Sequence, residues 1–213
     1  MPRVSEEHLE RRRRQIIDAA RACFIRNGLY ETSMQDIFAE ANLSAGAVYR
    51  YFKSKSEIVD EIVAEGGGEL QKVLSALVDT DPLPDPDRLC LAMCERIIEL
   101  ARGNGPARLA IQAWAMAAHD GRIGAKVRQT MLTSRDHWVT YVRRLAEAGR
   151  LPADIDADAA GRVLFGLFPG FILQHLLLGD ATPEEFAAGV RSLFPVTAFT
   201  GAPTTAAVTA ATA

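Results

Sequence analysis

The side chains in this sequence that are best equipped for chemistry would make hydrogen bonds rather than break covalent ones. The stretch SAGAVYR, residues 44–50, places two small residues, a phenol and a guanidinium on one helical face. The planar fork of Arg50 matches the O6 and N7 acceptors of guanine. The Tyr49 hydroxyl can reach a phosphate, and its ring suits the methyl group of thymine. Ala45 and Gly46 keep the start of the helix bare, so its backbone N–H groups can approach a phosphate closely. Ser44 is the residue type that caps such a helix. Thr32, Ser33 and Gln35 open a preceding helix, near the backbone or the edge of the groove.

Arrangements that would carry catalysis are missing. No Ser-His-Asp or Glu-x-x-His pattern occurs at a defensible helical spacing, and no glycine-rich loop could cradle phosphate. Cys90 and Cys94 share one helix face at i, i+4, but a zinc site needs about four ligands and no Cys or His lies close in sequence to complete it. They read as small buried hydrophobes. His119, His137 and His175 are scattered. Nothing in the sequence calls for a cofactor or a metal, and an enzyme is not expected.

The elements that must position Tyr49 and Arg50 are legible in the pattern. Ile16, Ala19, Ala20, Cys23 and Phe24 form one apolar stripe on a first helix over residues 6–26, ended by Asn27 and Gly28. Thr32 opens a T-x-x-Q capping box with Gln35 ahead of a second helix, with Met34, Ile37, Phe38 and Ala41 turned inward. Asn42 and Leu43 form a turn, a third helix follows over residues 44–52, and Ser54 with Glu57 starts a fourth. Two short helices joined by so tight a turn make a helix-turn-helix, which places its second helix in the DNA major groove.

Beyond residue 65 the periodicity stays helical. Gly66, Gly67 and Gly68 interrupt the fourth helix; each costs about 1 kcal/mol in a helix interior, so the stretch is either a loop between helices or a bent helix connecting a small DNA-reading domain to a larger one. The segment DPLPDPD, residues 81–87, is a connector. Further helices are predicted over about 86–102, 105–119, 121–148, 156–178 and 182–194, the last opened by Thr182, Pro183 and Glu185 as cap, first-turn proline and third-position glutamate. The expected fold is all-α: a DNA-binding domain over 1–65, a larger helical domain over 66–195, and a disordered Ala/Thr tail over 196–213. A cavity between the later helices would draw on Gln112, Trp114, Met116, Trp138, Tyr141, Phe168 and His175.

Bulk properties agree. In 213 residues, net charge is −3, yet residues 1–55 hold ten Lys/Arg against seven Asp/Glu, so the basic surplus sits with the helix-turn-helix. Arg11–Arg14 form either a solvated helix face or a phosphate contact, and only one or two of them can face DNA at once. The longest apolar stretch, residues 163–178, is broken by Gly166, Pro169 and Gly170, so no membrane span or membrane partner is expected. Three cysteines and no secretory signal suit the cytoplasm.

Residues 10–63, and above all SAGAVYRYFKSKSEI, resemble the N-terminal domain of the TetR (tetracycline-repressor-like) family of bacterial transcriptional regulators. The resemblance implies a homodimer on a palindromic operator, repressing until a small molecule binds the second domain. It also puts Tyr51 where the family often has a phosphate-contacting histidine, and Lys55 where it has a phosphate-contacting lysine. The family dimerises through its last two helices, which here nominates Leu164, Phe171 and Leu178.

Overall fold

The computed structural model describes residues 6–119 and 121–194, and among them only helices and turns occur. Helix α1 is Glu6–Asn27, α2 Met34–Ala41, α3 Ala45–Tyr49 and α4 Lys55–Val78. Then come α5 Pro86–Ala101, a 3-10 turn Pro106–Leu109 that leads into α6 Ala110–Ala117, and α7 Gly121–Glu147. Helix α8, Ala157–Leu173, continues as a π-helical turn, Gln174–Leu178, and α9 is Pro183–Leu193. The predicted tail over 196–213 lies outside the described residues.

Local signals explain most of the ends. Gly28 closes α1 at φ +88°, a conformation that costs glycine little, and its N–H bonds the Phe24 carbonyl at 2.9 Å. Asn42 closes α2 in the left-handed region, with φ 51°. The cap of α2 differs from the expected one: it is Ser33, whose hydroxyl accepts from the Asp36 N–H while the Asp36 carboxylate accepts from the Ser33 N–H. Thr32 cannot cap, because its own hydroxyl donates to the Gly28 carbonyl at 2.8 Å. Ser44 caps α3 and Ser54 caps α4, but Glu57 reaches back to the Lys53 N–H rather than closing the box on Ser54. Thr182, Pro183 and Glu185 start α9 as expected.

Helix α4 excludes the loop alternative and is the connecting helix. It runs unbroken through Gly66, Gly67 and Gly68, and at the first two the missing side chain makes room for a neighbour. A Cβ on Gly67 would stand 2.1 Å from the Thr130 Cγ2 of α7, and one on Gly66 would stand 3.2 Å from Pro106 Cβ. Close packing thus offsets the poor helix propensity of this stretch.

Two apolar cores lie along α4 and α7. The first gathers Ile16, Ala20 and Phe24 of α1, Ile37, Val48 and Phe52, Ile58 and Ile62 of α4, Ala113 and Met116 of α6, and Ile123 and Val127 of α7. The second gathers Leu74 and Val78 with α5, Trp138, Tyr141 and Val142 of α7, and Leu164, Phe168 and Phe171 of α8. The two cores share the same two long helices, so a displacement of α4 is felt at both ends.

The run over Ala157–Leu178 is helical without a gap at Pro169, and by length and apolar content alone it is sufficient to cross a bilayer, contrary to the sequence reading. Its inner face, with Leu164, Phe168, Phe171 and Ile172, is buried in the second core.

Candidate DNA-reading face and apolar cavity

Helices α2 and α3 hold their outward residues through a buried underside. Ile37 and Val48 are fully buried, and the Tyr49 ring meets the half-buried Phe38 edge-on at 5.3 Å between centroids. That contact fixes the ring while leaving the residue exposed. Arg50 is exposed and makes no ion pair among the described residues. Gln35, Ser44, Ala45 and Gly46 are exposed too, and Ser33 is half-buried. The structure therefore brings Gln35, Ser44, Ala45, Gly46, Tyr49 and Arg50 to adjoining outward positions on α2 and α3.

Three nominated contacts land elsewhere. Thr32 is 1% exposed and lies inside, its hydroxyl engaged by backbone carbonyls at the end of α1. Tyr51 packs half-buried on the first core. Lys55 turns inward: its ammonium donates to the carbonyls of Leu29 at 2.7 Å, Tyr30 at 2.9 Å and Thr32 at 2.8 Å. All three protons are thereby used, and burial holds its pKa below the ordinary lysine value. As placed, Lys55 is a clamp on the α1–α2 loop. Sequence reasoning missed this because the three carbonyls lie more than twenty residues upstream.

The four consecutive arginines of α1, Arg11–Arg14, also have partners. Arg13 pairs with Glu61 at 2.6 Å and lies over the Phe52 ring, tying α1 to α4. Arg11, Arg12 and Arg14 meet His8, Gln15 and Glu10 on their own helix.

Between the two cores lies a cavity of about 140 Å³. Leu29 of the α1–α2 loop forms part of its wall, as do Val59, Ile62, Val63, Gly66 and Gly67 of α4. Trp114 of α6, Thr130, Ser134 and Trp138 of α7, and Phe165 and Phe168 of α8 form the rest of the lining that matters here. No acidic, basic or histidine side chain is among the lining residues. The polar groups are few; the Ser134 hydroxyl donates to the Thr130 carbonyl at 3.0 Å and accepts from Gln71 at 3.3 Å. Such a space rejects ions and suits a neutral, largely apolar molecule. Its volume is that of a site for roughly one aromatic ring.

Of the cavity candidates, Trp114, Trp138 and Phe168 line it, whereas Gln112, Met116, Tyr141 and His175 do not. Met116 is buried in the first core. Tyr141 is fully buried and donates to the Pro84 carbonyl at 2.8 Å; desolvation pushes its phenol well above the ordinary value. His175 stacks on Phe171. Gln112 faces the α1–α2 loop. The sequence carried one unread signal for the lining, because three consecutive glycines in a helix also mark a close approach.

The nominated dimer residues divide similarly. Phe171 is fully buried against His175 and Phe186 of the same chain, and Leu164 is buried too. Phe171 is closed to a partner, and Leu164 offers it little surface. Leu178 is 68% exposed, and Val163, Leu173, Leu177 and Leu193 are exposed with it. Cys90 and Cys94 have their sulfurs 3.9 Å apart in the second core; their mutual hydrogen bond and burial push the Cys94 thiol up, so it is no ready nucleophile.

Comparison with known proteins adds the following. Residues 16–62 match the profile described as bacterial regulatory proteins, tetR family, and residues 86–194 that of the BetI-type transcriptional repressor, C-terminal. The HTH-type transcriptional regulator TtgR of Pseudomonas putida is 25% identical over 184 residues, covering 85% of this chain and 88% of that one. Among solved structures, GusR of Salmonella enterica superposes with a TM-score of 0.70 at 22% identity, over 91% of this chain and 97% of that one. A complex of SmeT, the repressor of a Stenotrophomonas maltophilia efflux pump, with triclosan gives 0.69 at 23% identity, over 85% and 90% of the two chains.

Proposed function

The chain belongs to the TetR family of DNA-binding transcriptional regulators, and on that premise we propose that it is a repressor released from a palindromic operator by a small, neutral, largely apolar molecule. The observation that carries this reading is the uncharged cavity of about 140 Å³ in whose wall α4 takes part, the helix that shares the first core with α1 to α3. A larger occupant must push that wall outward. Binding then favours a state in which the two recognition helices of a dimer no longer match the spacing of their half-sites. Arg50 and Tyr49 read bases, and Ser44, Ala45, Gly46 and Gln35 bring the backbone of α3 and the start of α2 to the phosphates. The protein works in the cytoplasm, where its operator is.

The dimer is built on the outer face of α8 and α9. Val163, Leu173, Leu177, Leu178 and Leu193 leave apolar surface uncovered in one chain, and a two-fold partner covers it with the same residues. Division into a DNA-reading unit over residues 1–65 and a cavity-bearing unit over 66–195 remains the working description, with α4 passing through the boundary.

The test begins with a duplex selected by the protein from random sequence. Neutral compounds from toluene to triclosan, with benzoate as a charged control, are then titrated against the complex. The reading expects neutral aromatic compounds to release DNA and benzoate not to. Release by the anion alone, or by none of the neutral compounds, would sink the proposed effector class.

A further inference from the structure

Gln112 lies next to cavity-lining residues on α6, yet its side chain points away from the cavity. Its Oε1 accepts the Leu29 N–H at 2.8 Å, across 83 residues of sequence. Leu29 lies beyond the end of α1, so its N–H has no place in a helix ladder. The same residue is held at its other end by Lys55 of α4, which takes the Leu29 carbonyl at 2.7 Å. Lys55 then takes the carbonyls of Tyr30 and Thr32, and Thr32 directly precedes Ser33, the cap of α2. One loop is thus gripped by α6 on one side and α4 on the other, two residues from the helix that supports α3. Meanwhile the Leu29 side chain is 2% exposed and forms part of the cavity wall.

We infer that Gln112 is a positioning residue for DNA binding: its side-chain carbonyl holds the Leu29 amide and so fixes the start of α2 relative to the cavity wall. It touches no DNA itself. The inference rests on the DNA-reading role proposed above. The opening of α2 follows wherever Leu29 is held, since Lys55 leaves little slack between Leu29 and Thr32. A displacement of Leu29 relative to α6 by a cavity occupant stretches this bond.

The test uses the full chain and the duplex it selects from random sequence. Gln112→Leu keeps similar bulk and removes the acceptor; Gln112→Glu keeps an acceptor at the same reach. At a temperature where circular dichroism shows all three proteins folded, Gln112→Leu should bind the selected duplex roughly five- to tenfold more weakly per protomer, the fold-change of one lost hydrogen bond of ordinary net strength. Gln112→Glu should restore most of it, and binding to random DNA should be the same for all three. A purely structural glutamine would instead lower the melting temperature of the Leu variant and leave affinity for the selected duplex unchanged, which overturns the inference. So does a Glu variant as weak as the Leu variant. A measurement on the unaltered protein stands beside these: the Leu29 amide should exchange with solvent more slowly when the selected duplex is bound, and equal protection with and without DNA refutes the role. A protein that enriches no sequence overturns the DNA-reading role as well, a result distinct from a selected duplex that Gln112→Leu holds as tightly as the unaltered chain.

Discussion

Replacing Gly67 with alanine sets two effects of known size against each other. Alanine favours the helix by about 1 kcal/mol over glycine. The new methyl group would stand 2.1 Å from Thr130 Cγ2 and 3.5 Å from its Cβ, far inside contact distance. Threonine is stiff at χ1 and cannot swing its methyl aside freely. Forced overpacking of this kind costs about 1–3 kcal/mol, so Gly67→Ala should be neutral to destabilising, by up to about 2 kcal/mol. Gly68 is the internal control, because a Cβ there meets nothing within 4 Å. Gly68→Ala should stabilise by about 1 kcal/mol. Urea unfolding at one fixed protomer concentration compares the two, since a dimer's stability depends on concentration. Adding Thr130→Ser removes the clashing methyl and keeps the hydroxyl, and should recover most of the Gly67→Ala loss. The reasoning fails if Gly67→Ala stabilises as much as Gly68→Ala, or if Gly67→Ala and Thr130→Ser add to within about 0.5 kcal/mol.

Arg50→Ala should relax base preference by about 1–3 kcal/mol per half-site in competition binding; equal loss on selected and random duplex removes its assigned role. Lys55→Met should lower the unfolding midpoint and leave the slope of log K against log salt unchanged, whereas flattening by about one per protomer would put the ammonium on a phosphate instead. Leu178→Glu should sediment as a folded monomer with lost operator affinity, and a variant that stays a tight dimer moves the interface elsewhere. Hydrogen bonds from the Ser33 N–H and hydroxyl hold the exposed Asp36 carboxyl below its ordinary value of 3.8. A carboxyl lowered by folding contributes stability above its unfolded value and loses it as pH falls through its folded value. Asp36→Asn should therefore weaken the acid dependence of stability below pH 3.8 and leave unchanged the part attributable to other groups.

The helices and most of their ends were legible because the signals are local. The stripe on α1, the Gly28 stop and the Thr182 box each act within a few residues, and each is found as expected. The choice between Thr32 and Ser33 as the cap of α2 was not local. Both have a partner three residues on, and what decides is that carbonyls at the end of α1 already occupy the Thr32 hydroxyl. The loop alternative at Gly66–68 fell for the same reason, since propensity speaks of one helix and the packing depends on Thr130 and Pro106 from other elements. Along α8, Phe171 and Leu178 were equally plausible at an interface. They lie on different sides of the helix, and only the packing of Phe186 and His175 settles which side faces inward. The DNA-reading face was the most legible part of the site, because exposure on a short capped helix follows from its own sequence. The cavity was the least, because its lining comes from the α1–α2 loop and α4 through α8 at once.

Leu29 belongs to the cavity by its side chain and to the DNA-reading unit by its main chain. If a cavity occupant releases DNA as proposed, linkage makes the traffic between the two sites run in both directions. Whatever factor a cavity occupant takes from operator affinity, the operator takes from the occupant's affinity. On that proposal, a higher operator concentration would raise the dose needed to strip the protein from DNA. The response threshold becomes a property of the protein and its genome together. Added operator DNA should shift the titration curve of a cavity ligand, even though the two never touch.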